Sequence, residues 1–125
     1  MDAYNHVNNS RVLTLLEEAT VAPQNNEEQE KQIRRRTHQT LKRVTHDFEN
    51  FEFNTIISSL MEMLNDMVRW KAQGSFGSSA WKEAEQIYLQ MMAPVTPHIA
   101  EELWRLSGRE YSIHTTLWPE VDEAA

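Results

Sequence analysis

The stretch 55-TIISSLMEMLNDMV-68 decides the fold. Its apolar residues Ile56, Ile57, Leu60, Met61, Leu64, Met67 and Val68 recur at steps of three and four. That spacing fits one face of an α-helix, not the alternation of a strand. Asn54 and Thr55 are good helix caps, so the helix is expected to begin there. The stretch 73-QGSFGSS-79 carries two of the three glycines and is expected to end it.

The flanking segments read the same way. Residues Ala3 to Ala19 form a first helix with Val7, Val12, Leu15, Leu16 and Ala19 as a loose apolar stripe. VAPQNN, at 21–26, reads as a loop. Glu27, Glu28 and Glu30 then open a second helix, where negative charge suits the positive end of the helix dipole. It is expected to run to about Phe48 and to end near Asn50. Ile33, Thr37, Leu41, Val44 and Phe48 share one narrow face at about 100° per residue, which makes them a core stripe. Ser78 or Ser79 can cap a fourth helix with Trp81, Ala84, Ile87, Tyr88, Met91 and Met92 turned inward. Thr96-Pro97 opens a fifth, with proline at the first helical position, and Gly108 stops it. The last residues, YSIHTTLWPEVDEAA, read as an extended tail with Trp118 anchored on the bundle. The expectation is an all-α helical bundle of about five helices with an extended C-terminal tail, one domain over residues 1–125.

Composition narrows the function. The 125 residues contain no cysteine, which excludes disulfides and cysteine-ligated metal sites. No run of 18 apolar residues exists, so no membrane span is expected. No glycine-rich phosphate loop, nucleophile elbow or HExxH is present. His6, His46, His98 and His114 read as surface or N-terminal residues, and so does His38. His38 and His46 are eight residues apart, too far to share a metal without a third ligand between them. Adjacent Glu101 and Glu102 point about 100° apart and form no facing dyad. They are expected to stabilise the first turns of helix five. Met61, Met63 and Met67 read as core packing rather than a binding groove.

One constellation remains. The chain has formal net charge −7 and 12 Lys and Arg residues. Half of those are Lys31, Arg34, Arg35, Arg36, Lys42 and Arg43, and no Asp or Glu lies from Lys31 through His46. On the helical wheel the cations lie off the apolar stripe, on the exposed arc of helix two. Two readings stand: solvated charges paired with acids of neighbouring helices, or a site that tracks a phosphate backbone. No aromatic residue interleaves the cations, so RNA contacts would be to backbone and shape rather than to stacked bases.

These segments together resemble a known family. HQTLKRVTHDFENFEFNTIISSLMEMLNDM (His38 to Met67) resembles the helix pair of the anticodon-binding domain of leucyl-tRNA synthetases. MMAPVTPHIAEELW (Met91 to Trp104) is similar to the A-P-x-x-P-H-I-x-E-E-L-W segment of the leucine, isoleucine and valine enzymes. HTTLWPEVDE (His114 to Glu123) resembles the W-P-x-x-D-E ending of the leucine enzymes. The resemblance covers about Gln32 to Ala125.

The resemblance implies a piece of a class I aminoacyl-tRNA synthetase. The parent would be a cytoplasmic enzyme that leucylates tRNA(Leu) with ATP and magnesium. The chain lacks the HIGH and KMSKS signatures, so the piece itself is expected to be non-catalytic and to hold no cofactor. The implied partners are tRNA(Leu) and the catalytic domain of the same parent chain. Lys31, Arg34, Arg35, Arg36, Lys42 and Arg43 are the expected RNA-binding residues, assigned from the wheel rather than from the family motif. The alternative is a free-standing helical module that meets an acidic protein through the same face. Apolar surface including Trp70, Trp104 or Trp118 is expected to be exposed here and covered in the parent.

Overall fold

The computed structural model describes residues 11–16, 27–75, 78–109 and 111–125. Residues 11–16 are helical and are called α1. The other elements are α2 (Glu27–Glu49), α3 (Phe53–Ala72), α4 (Ser79–Met92), α5 (Pro97–Leu106) and a single 3-10 turn, Ile113–Thr115. The described residues contain no strand, as the periodicity requires. The rest of the first helix expected over 3–19, with Val7 and Ala19, lies outside the described residues.

Helix α2 is the hub and packs on both α3 and α4. Its stripe explains this: Ile33, Thr37, Leu41 and Val44 are all fully buried. Phe48 is half-buried and packs beneath the tail. The inward set expected for α4 is buried throughout. The Ser78 hydroxyl accepts from the Trp81 N–H at 3.1 Å and closes that helix start.

Helix α3 is turned relative to the simplest reading of its period. Met61 and Val68 are exposed, whereas Met63 and Trp70 join Ile56, Leu60, Leu64 and Met67 inside. It also starts at Phe53, with Glu52 in the cap position and no side-chain cap. Thr55 Oγ1 instead donates back to the Glu52 carbonyl at 2.8 Å. The hydroxyl of Thr96, the cap position of α5, likewise donates to Met92 O rather than capping.

The α2–α3 turn puts a phenylalanine where glycine is favoured. Glu52 N donates to Asp47 O at 2.8 Å and Phe51 N to Phe48 O at 3.3 Å. This is a Schellman helix stop with Phe51 at its left-handed position, φ 56°. The ring is exposed and rests on Phe53, with centroids 6.3 Å apart. Left-handed backbone costs a side-chain-bearing residue about 1–2 kcal/mol. Phe51→Gly is therefore expected to stabilise the fold by about 0.5–1 kcal/mol, read as a raised thermal midpoint. A lowered midpoint would mean that the ring contact outweighs the strain.

The tail crosses the bundle as a strap. Gln90 Nε2 of α4 donates to Thr116 Oγ1 at 3.1 Å and to Leu117 O at 2.9 Å. Trp118 Nε1 donates to Thr45 Oγ1 of α2 at 2.9 Å, and its ring meets Phe48 edge-on at 5.6 Å. Trp118 is thus anchored as expected. Trp70 and Trp104, by contrast, lie in the core, because α3 and α5 turn those positions inward. Glu101 does not merely serve its own helix. Its Oε2 accepts from Ser112 Oγ at 2.7 Å and Ile113 N at 3.1 Å, which fixes the 3-10 turn.

Candidate nucleic-acid interface

Helix α2 is free of acids over its middle, but the fold supplies them from elsewhere. Arg34 reaches Glu83 Oε1 of α4 at 3.1 Å and Asp122 Oδ2 of the tail at 2.8 Å. Arg36 reaches Asp66 Oδ2 of α3 at 2.9 Å. Lys42 meets Glu123 at 3.3 Å, and Arg43 meets Glu62 at 3.4 Å. Lys31 and Arg35 make no ion pair or hydrogen bond among the described residues, and both are exposed.

The six cations therefore fall into two groups. Arg34 and Arg36 are partly buried and tie α2 to its neighbours. Lys31, Arg35, Lys42 and Arg43 stand on the outward arc, with Gln32, Gln39 and His46 exposed among them. The acids that meet Lys42 and Arg43 are themselves more than half exposed, at 72% and 56%. Such surface pairs contribute about 0–1 kcal/mol and are screened by salt, so a phosphate can replace the acid.

His38 departs from the surface reading. It is 5% exposed and lies under the tail. Its Nδ1 accepts the Asp122 N–H at 3.0 Å. Nε2 sits 3.4 Å from Glu83 Oε2, an ion-pair distance that does not make a well-formed hydrogen bond. The helical position that places His38 beside Arg34 thus serves tail docking. The Asp122 carboxyl is held below its ordinary pKa, first by the Ala124 backbone N–H and then by Arg34. The Arg34 guanidinium is shifted upward, chiefly by its hydrogen bond to Asp122. Each partner thus favours the charged form of the other.

No group of three or more His, Asp or Glu among the described residues is placed to hold a metal ion. No described helix is long and apolar enough to cross a membrane. The arrangement offers charge and hydrogen-bond donors on the exposed side of α2.

The fold thus sets an exposed cationic arc on an all-α bundle, with no aromatic residue among its cations. The chain belongs to the family of anticodon-binding domains of tRNA ligases, whose pattern matches residues 30–125. Leucine–tRNA ligase of Deinococcus radiodurans is 47% identical over 116 residues, 93% of this chain and 14% of that protein. Leucine–tRNA ligase of Rubrobacter xylanophilus is 46% identical over 92 residues, 74% of this chain and 11% of that protein. The solved ternary complex of Agrobacterium radiobacter K84 agnB2 LeuRS with tRNA and LeuAMS superposes with TM-score 0.72 at 27% identity, covering 98% of this chain and 16% of that one. This sequence therefore corresponds to the anticodon-binding-domain region of leucyl-tRNA synthetases, and it spans about a seventh of the relatives' length. The reading as a free-standing module for an acidic partner is not supported, because these relatives carry the segment within a much longer chain.

Proposed function

We propose that this chain is a tRNA-binding domain of a leucine–tRNA ligase, a single domain over residues 1–125 that supports the body of tRNA(Leu) during leucylation. The observation that carries this is the α2 arc: Lys31 and Arg35 are unengaged among the described residues, and Lys42 and Arg43 are held only by exposed acids. Arg34 and Arg36 lend their remaining charge from the flanks. ATP, magnesium and the acyl transfer belong to the parent's catalytic domain, a partner within the same cytoplasmic chain. The piece itself is non-catalytic.

Phosphate contacts release counterions, so affinity falls steeply with salt. The double charge reversal Arg35→Glu with Lys42→Glu is expected to weaken binding of a tRNA(Leu) transcript by roughly ten- to a hundredfold and to shallow the salt dependence. The weakening should be about equal for other tRNA species, because phosphates carry no sequence. Unchanged affinity in a filter-binding titration would remove α2 from the interface.

A further inference from the structure

The acid that faces Arg36 differs from the others on this surface. Asp66 of α3 is nearly buried, with its side chain 11% exposed, yet both of its oxygens face a cation. Arg36 Nε donates to Oδ2 at 2.9 Å, and Arg69 Nη2, from α3 itself, donates to Oδ1 at 2.9 Å. The two guanidinium groups thus sit on opposite oxygens of one carboxylate. They remain 43% and 58% exposed. Arg69 lies outside the acid-free run of α2, and α3's period leaves it on the polar side.

A guanidinium offers five N–H donors, and each of these commits one to Asp66. The remaining donors are available to a second anion. Two guanidinium groups against one carboxylate leave the site with one net positive charge. Exposed arginines ordinarily lose rotamer freedom when they grip a ligand. Here the carboxylate has already fixed both, so less is lost when a phosphate arrives. Further along the same two helices Arg43 and Glu62 pair with each other, so they add no net charge beside the clamp.

We propose that Asp66 is a positioning residue that holds Arg36 and Arg69 as a two-guanidinium clamp for an RNA phosphate. The clamp extends the interface from the α2 arc across the α2–α3 groove. This rests on the reading of α2 as the RNA-facing helix.

The test is binding of the 125-residue chain to a tRNA(Leu) transcript from about 50 to 200 mM salt. Arg69→Gln, an exposed change, is expected to lower affinity about tenfold, the value of one charge-assisted hydrogen bond. The salt slope should fall by about 0.7–0.9, the amount that one neutralised phosphate contributes. Asp66→Asn separates positioning from charge by sign. Removing an acid raises affinity if charge alone matters, whereas a positioning role requires affinity to fall in a protein that still melts cooperatively. Unchanged binding by Arg69→Gln, or tighter binding by Asp66→Asn, overturns the clamp. If the Arg35 and Lys42 reversal weakens binding while Arg69→Gln does not, the clamp alone falls. If none of these variants alters binding, the reading of α2 falls with it.

Discussion

Leu60→Ala is expected to lower the free energy of unfolding by about 2–5 kcal/mol. Leu60 is fully buried on α3, among the residues that α2 and α4 pack against. Truncating it removes transfer energy and leaves a cavity that the surrounding helices fill only in part. Its neighbours make the test specific. Met63 is 1% exposed, and Met63→Ala should cost about 2–5 kcal/mol as well. Met61 is 42% exposed, and Met61→Ala should stay within roughly 0.5 kcal/mol. Urea titrations of the three variants give the ranking. A large destabilisation at Met61 with none at Met63 would mean that α3 is rotated from the orientation described.

Trp104→Ala is expected to cost about 3–5 kcal/mol. The Trp104 ring is 1% exposed in the core, and its Nε1 donates to the Tyr111 carbonyl at 2.8 Å. Arg109 stacks over the ring at 4.7 Å from its centroid. Removing the side chain opens a large cavity, orphans the Tyr111 carbonyl and frees the start of the tail. Trp104→Phe separates these effects. It keeps most of the packing, lacks the N–H, and should cost about 1–2 kcal/mol. Thermal melts followed by circular dichroism would report both. An alanine variant as stable as the phenylalanine one would place the ring outside the core.

Local chemistry made much of this architecture legible. The α2 stripe, the α4 inward set, the Ser78 cap and the Gly108 stop were readable because each depends on spacing within one segment. Gly108 adopts φ 91°, a left-handed value that glycine accepts freely. The boundaries of α3 were less legible. Its start depends on the Schellman turn around Phe51, which no glycine announces. Its facing depends on two neighbours at once: Trp70 turns inside while Met61 and Val68 stay out, and a wheel drawn for one helix cannot choose between adjacent apolar rows.

The candidate site divides in the same way. The acid-free run from Lys31 to His46 is a property of the chain, and so is the division between Thr37, Leu41 and Val44 on one face and the cations on the other. Which cations are engaged was decided only by folding. Glu62, Asp66, Glu83, Asp122 and Glu123 lie between 19 and 88 residues from the α2 cations they meet, and ion pairing over such separations leaves no periodic trace in sequence. His38 shows the contrast most clearly. Its place on the helix was fixed by its position in the chain, but its burial came from a tail 84 residues away that lays Asp122 over the imidazole. Periodicity is a short-range record of which face turns inward, whereas charge compensation and burial by a returning strap are set by contacts that exist only once the helices have packed.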